Sequence, residues 1–184
     1  MRVLHVISSL KRSGGGPSRS TQGLVAGLNA AGVDAWLLTL NHSDLPWIKG
    51  VDRFCNADKF EKVIVGTKPD MVHLHGIWNR DIHHCAVVCR AEKVPYIIAP
   101  RGMLEPWSLK QKWLKKRVAR FLYQDKDLKF AAALHATAEI EAEQFRKLGF
   151  KNYCIISPNG VNIPDFLPPP SPCTFKRALF VSRM

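Results

Sequence analysis

The sequence predicts an α/β fold: a doubly wound parallel sheet with helices on both faces. Three observations predict it. The stretch Pro69 to Trp78, PDMVHLHGIW, has an apolar core of Met71, Val72, Leu74 and Ile77 behind a turn-forming Pro-Asp, the pattern of a short buried strand in a parallel sheet. The amino terminus reads strand, glycine-rich turn, helix, strand, which is a βαβ unit with a right-handed crossover. The same alternation of apolar run and helical spacing then continues as far as Ser157.

Taken in order, Arg2 to Leu10 is the first, central strand, carried by Val3, Leu4, Val6 and Ile7. Lys11 to Ser20 is a loop holding Gly14, Gly15, Gly16 and Pro17. Ser18 to Ala31 has helical spacing at Leu24, Val25, Leu28 and Ala31, with Gly32 as its stop. Val33 to Leu40 is the second strand, Asn41 to Asn56 is irregular, and Asp58 to Gly66 is a short helix feeding the histidine-bearing strand. Helix Asn79 to Glu92 and strand Val94 to Pro100 follow, and the strand runs into the loop Arg101 to Trp107. Leu109 to Tyr123 reads as one basic amphipathic helix, with Leu114, Val118, Phe121 and Leu122 on one face and Lys110, Lys112, Lys115, Lys116, Arg117 and Arg120 supplying charge. Such a helix either lies on an anionic membrane or docks on the core with a solvated basic face. Ala131 to Ala136 is a strand, and Thr137 to Leu148 a helix with Thr137 as N-cap, the acids Glu139, Glu141 and Glu143 crowding its start, Arg146 and Lys147 at its end and Gly149 as its stop. A strand over Asn152 to Ser157 precedes a turn, Pro158 to Pro164. The stiff tract Pro168 to Pro172 reads as an interdomain linker, and Ala178 to Ser182 as the first strand of a second domain that the chain does not continue.

A chain of 184 residues suits one domain plus part of another. Its 27 Lys and Arg against 15 Asp and Glu, a net charge of +12, favour polyanions: phosphorylated small molecules, anionic lipid or nucleic acid. The basic helix lacks interleaved aromatics that would stack on bases, and no nucleic-acid signature appears elsewhere, so no nucleic-acid partner is expected. Five scattered cysteines without a CxxC pair point to a reduced, cytoplasmic protein. Cys85 and Cys89 beside His83 and His84 suggest metal at first sight, but a buried helical face accounts for them more simply. No signal peptide and no apolar run near the roughly 18 residues of a membrane span is present.

His73 and His75 lie two apart, hence on one face, and His75 is nearest the strand's carboxyl end, where open α/β sheets bind ligands. Satisfied core histidines are the plain alternative. The glycine turn before a helix amino terminus is the recipe for an anion cup, although Arg19 stands where GxGxxG would need a glycine. Arg101 and Glu105, also past a strand's carboxyl end, suit sugar hydroxyls or phosphate, with a loop salt bridge as the alternative.

The segments RVLHVISSLKRSGGGPSR, PDMVHLHGIW, YIIAPRGMLEPW, HATAEIEAEQFRKLGF, IISPNGVNIP and LFVSR, in this order, resemble the amino-terminal half of a retaining glycosyltransferase of the two-Rossmann-domain (GT-B) architecture, glycosyltransferase family 4, group 1. The resemblance implies transfer of a sugar from a nucleotide diphosphate donor to a glycan or lipid-linked acceptor hydroxyl with retention of configuration. It implies an acceptor-side Rossmann-like domain over 1–165, a linker over 166–176 and the start of a nucleotide-sugar domain over 177–184. By the same resemblance His75 contacts the donor sugar near the reacting carbon, Gly15, Gly16 and Arg183 approach the donor phosphates, and Arg101 and Glu105 sit on the acceptor side. Asn159 and Gly160 belong to the interdomain crossover, and no metal or other cofactor is required. The lysine and paired-glutamate motif expected beyond Arg183 are missing, so the chain alone is expected to be inactive or nearly so. A non-enzymatic phosphosugar- or nucleotide-binding Rossmann module is the competing reading.

Overall fold

The computed structural model describes residues 1–11, 15–41, 48–51, 54–56, 59–160 and 166. Seven strands, β1 (Arg2–Ile7), β2 (Asp34–Thr39), β3 (Phe54–Asn56), β4 (Met71–His75), β5 (Tyr96–Ala99), β6 (Ala133–Ala136) and β7 (Tyr153–Ile156), form one sheet in the order β3-β2-β1-β4-β5-β6-β7. Every neighbouring pair is parallel, so all carboxyl ends share one rim. The order reverses direction beside β1, which makes the rim between β1 and β4 the topological switch point where such sheets take ligands.

The helices are α1 (Gly16–Ala30), α2 (Phe60–Thr67), α3 (Arg80–Ala91), α4 (Pro106–Lys110), α5 (Trp113–Ala119), α6 (Asp125–Phe130) and α7 (Glu139–Lys147), with a π-helical turn, Arg120–Gln124, joining α5 to α6. Strand periodicity of two sorts the core. Leu4, Val6, Leu38, Val72, Leu74, Tyr96, Ile98 and Leu134 pack with Ile64 of α2, Cys85 of α3 and Leu128 of α6, while Ile7, Ala35 and Leu37 pack against Val25 of α1 on the other face. The expected Rossmann-like doubly wound sheet is therefore observed, with helices on both faces.

Three local expectations change. The stretch read as irregular between 41 and 56 contains the edge strand β3, only three residues long, too short for its apolar periodicity to register. The basic helix is not continuous: Gln111 leaves the helical region and Lys112 takes a left-handed conformation at φ 51°, which breaks it between α4 and α5. Its apolar face does not reach the core, since Leu114, Val118, Phe121 and Leu122 are all exposed. Thr137 is not the N-cap of α7; that position is Ala138, and Thr137 instead donates to Glu141 from one turn ahead. The linker, apart from exposed Phe166, and the strand expected over Ala178 to Ser182 lie outside the described residues, as does Arg183.

Candidate functional site

The site is built on the face of the sheet that α1 covers. Odd-numbered positions of β1, β4 and β6 point there, and they carry four imidazoles: His5, His73, His75 and His135, all buried. Register explains how they meet. His5 pairs with His73 across β1 and β4. His75 pairs with Ala99 of β5, and continuing the β5–β6 register sets His135 level with the same alanine, whose methyl leaves room for rings to reach across it. The rings of His73 and His75 are 4.2 Å apart, and those of His73 and His135 are 5.1 Å apart.

Hydrogen-bond directions fix the tautomers, because the network ends on groups with one role each. Arg101 can only donate, and its guanidinium lies 3.0 Å from Nδ1 of His75. His75 must then carry its proton on Nε2 and donate to Nδ1 of His5 at 3.1 Å. At the other end the Ser157 carbonyl can only accept, from Nε2 of His135 at 3.0 Å. Nδ1 of His135 is thereby an acceptor, and Nε2 of His73 donates to it at 3.2 Å. Neutral rings suit this wiring. Burial takes His5 down to about 3 and holds His73 and His75 well below the ordinary imidazole range, and the charge of Arg101 acts the same way on all three. His135 is also lowered by burial, against the raising effect of its bond to Ser157.

Arg101 is the hub of the rim. It leaves β5 at φ 57°, followed by Gly102 at φ 74°, and these two left-handed residues turn the chain sharply back over the sheet. Its guanidinium donates to Ser20 of α1 at 3.3 Å and to Oδ1 of Asn159 at 2.5 Å, in addition to His75. Nε of Arg101 and Nε2 of His5 are buried without a partner among the described residues. Glu141, from α7 and 3% exposed, receives the Gly102 amide at 2.7 Å. A cavity of ≈ 330 Å³ opens beside the guanidinium, lined by Ser20, Gly23, Leu24, Gly27 and Leu28 of α1, by Arg101 and His135, and by residues 157–160. Gly23 and Gly27 present no side chain to it, and a Cβ at either would meet nothing within 4 Å.

The turn after β4 frames the other side. Gly76 adopts φ 93°, a conformation glycine takes without strain, and its amide donates to the Ala99 carbonyl at 2.9 Å. Trp78 follows at φ 71°, and its amide is held at 2.8 Å by the side chain of Gln124, which the π turn directs inward.

The predicted residues are thus distributed unevenly. His75 and Arg101 are in contact. Gly15 caps α1 at φ 70° and Gly16 opens it, one turn before the Ser20 that Arg101 reaches, so the glycine bend leaves the same rim; Gly14 lies outside the described residues. Glu105 caps α4, half-buried, and is not among the residues lining the cavity. Sequence reading missed His5, His135 and Ser20, and took Glu141 for an ordinary helix-start acid. Histidines within two residues of the carboxyl ends of three strands were the available signal. As for a metal, ring nitrogens of His5, His73 and His75 lie within 4.8 Å of one another, the one such group among the described residues. Nδ1 of His5 and both nitrogens of His75 are engaged with each other and with the cation Arg101, and Nε2 of His73 with His135; Nε2 of His5 has no partner among the described residues, but the guanidinium beside the rings disfavours a second cation. His83 and His84 go instead to Asp127 and Glu61, each at 2.7 Å, and Cys85 and Cys89 are buried thiols raised by burial.

No curated protein sequence matches the chain well enough to count as a relative. Among solved structures it is similar to HepE of Anabaena, determined in complex with UDP-glucose, with a TM-score of 0.60 and 14% identity, covering 88% of this chain and 44% of that one. It is similar also to the sucrose-phosphate synthase of Thermosynechococcus elongatus, with a TM-score of 0.63 and 14% identity over 88% of this chain and 49% of that one. The chain therefore spans about half the length of these neighbours. Residues 44–160 match the glycosyl transferase 4-like domain. With more than half its length so matched, and its sheet shared with GT-B glycosyltransferases, the chain belongs to the glycosyl transferase 4-like domain family.

Proposed function

We propose that this chain forms the acceptor-side wall of a sugar-transfer site, in which a hexosyl group passes with retention from a nucleotide diphosphate donor to a hydroxyl of a glycan or lipid-linked acceptor. The observation that carries the reading is the Arg101–His75 contact at the switch-point rim, in which Arg101 also reaches Ser20 of α1 and lines a cavity large enough for a sugar. In this reading His75 contacts the donor sugar as a neutral ring whose two nitrogens are held by Arg101 and His5. Gly15 and Gly16 bring backbone amides to the donor phosphates, and Arg183 neutralises the departing diphosphate. Arg101 and Glu105 meet the acceptor, Arg101 from the cavity wall and Glu105 from the entrance to α4. Charge on the phosphates is met by arginine, amides and the α1 dipole, so no metal or other cofactor is invoked.

Transfer requires groups on both sides of a cleft, and the neighbours are about twice as long as this chain. The chain alone is accordingly proposed to transfer little or nothing. A cytoplasmic setting at an anionic membrane face completes the reading, supported by the exposed apolar and basic side chains of α5 and the π turn. Among the described residues no helix is long and apolar enough to cross a membrane.

Calorimetry tests the proposal. A sugar-transfer wall binds an oligosaccharide acceptor measurably and UDP-glucose poorly. Tight UDP-glucose binding without acceptor binding would instead identify an autonomous nucleotide-binding module. Robust transfer by the 184-residue chain would overturn the requirement for a second wall.

A further inference from the structure

We propose that Glu141 is a positioning residue: its carboxylate holds the Arg101–Gly102 turn in the bend that aims the Arg101 guanidinium at His75. The carboxylate spans two segments. Oε2 accepts from the amide and hydroxyl of Thr137, at 2.8 and 3.0 Å, and Oε1 accepts from the Gly102 amide at 2.7 Å, 39 residues away in sequence. The first pair is a local brace at the start of α7, a relative of the capping box. The Gly102 contact serves no helix. It fastens the second of two consecutive left-handed residues, the first of which, Arg101, carries a Cβ and pays for that conformation.

What the bend achieves is direction. From it the guanidinium reaches His75, Asn159 and Ser20 together. Donation to Nδ1 of His75 then dictates the tautomer of His75 and, through it, the acceptor role of Nδ1 on His5. Glu141 thus governs the protonation pattern of a ring it does not touch. Its importance for transfer rests on the function proposed above, since an Arg101 aimed elsewhere leaves the cavity without the cation that would meet a phosphate or hydroxyl.

The test needs no ligand, so its failure is separate from failure of the sugar-transfer reading. Long-range ¹H–¹⁵N spectra of the imidazoles report which nitrogen carries the proton. The wild type should show His75 in the Nε2–H form alone. Glu141→Gln has one acceptor oxygen for the two backbone amides, of Thr137 and Gly102, that the carboxylate serves, whereas Glu141→Asp keeps the charge and falls short of the reach. Both should move the His75 tautomer ratio about tenfold or more, the size of one charge-assisted hydrogen bond. Thr137→Val removes one local bond, leaves the Gly102 contact in place and should not move the ratio. An unchanged His75 spectrum in both Glu141 variants, or an equal change in Thr137→Val, would overturn the proposal. Should Glu141→Gln fail to fold, Glu141→Asp alone decides.

Discussion

The guanidinium of Arg101 donates to Nδ1 of His75 at 3.0 Å and to Oδ1 of Asn159 at 2.5 Å, so one side chain ties the ends of β4 and β5 to the segment that follows β7. Arg101→Ala keeps the left-handed backbone and deletes these bonds. Two acceptors that now pair with a cation would then depend on water, a loss of about 1–3 kcal/mol. Amide exchange across residues 157–160 should accelerate at least about tenfold by that measure, read by hydrogen-exchange mass spectrometry. Unchanged protection there would mean that the segment is held by other contacts.

The imidazole row makes stability depend on acid. Unfolded histidines titrate near ~6.5, whereas burial keeps His5, His73 and His75 neutral well below that. Between those limits the unfolded chain binds more protons than the fold does. Stability is therefore full above the unfolded value and falls as the pH drops, by about 1.4 kcal/mol per pH unit for each histidine involved. Urea midpoints measured at pH 7, 6 and 5 should fall progressively, and His5→Leu should flatten that slope by one histidine's share. A midpoint indifferent to pH over this interval would contradict the neutral, buried assignment.

Asp127 is the buried carboxylate of the opposite face, 1% exposed, where it meets Arg90 at 2.9 Å and His83 at 2.7 Å. The Tyr96 hydroxyl donates to its backbone carbonyl at 2.8 Å and also accepts from Arg90, so α3, β5 and α6 are joined at one point. Asp127→Ala removes the shared acceptor and strands a partly buried arginine. A loss of about 3–5 kcal/mol follows, against a smaller loss for Asp127→Asn, which keeps an acceptor oxygen. Denaturant unfolding distinguishes the two, and equal, small losses would show Arg90 to be adequately solvated without its partner.

The sheet was legible because parallel buried strands announce themselves as short apolar runs, and His75 because it ends one of them at a rim where ligands bind. The rest of the site was not, for physical reasons. His5 and His135 lie inside runs whose neighbours are apolar, and it takes the register of four strands, β1, β4, β5 and β6, to show that their rings converge. Glu141 looked like a helix-start acid because its long-range partner is a backbone amide, which leaves no mark in sequence. Glu105 was chosen for its place after a strand, and the sharp turn at Arg101 and Gly102 sets it at the start of α4, outside the lining of the cavity that Arg101 shares. The basic helix was misjudged most. Helical spacing cannot say whether an apolar stripe finds a core, and here a break at Lys112 and the π turn leave the stripe exposed, with no core partner among the described residues.

That stripe leads to the last prediction. Phe121 is 90% exposed, Leu122 66%, Leu114 59%, Trp113 57% and Val118 50%, a run of apolar surface that water would penalise unless something covers it. Lys112, Lys115 and Arg117 are exposed among these residues, so the surface combines apolar wedges with cations. Anionic bilayers match both features: each basic residue near the surface contributes about 1 kcal/mol, and each large side chain that enters the acyl boundary contributes about 1.5–3 kcal/mol when fully buried. The protein should therefore sediment with vesicles containing phosphatidylglycerol and far less with phosphatidylcholine alone. Replacing Phe121 and Leu122 together by serine should weaken that binding more than about tenfold at any salt concentration, on the same transfer scale. Replacing Lys112, Lys115 and Arg117 by glutamine should weaken it chiefly at low salt, because screening already removes the charge contribution at high salt. Equal sedimentation with both lipids would rule out anionic recognition, and a serine variant that bound as well as the wild type would show that the stripe stays out of the bilayer.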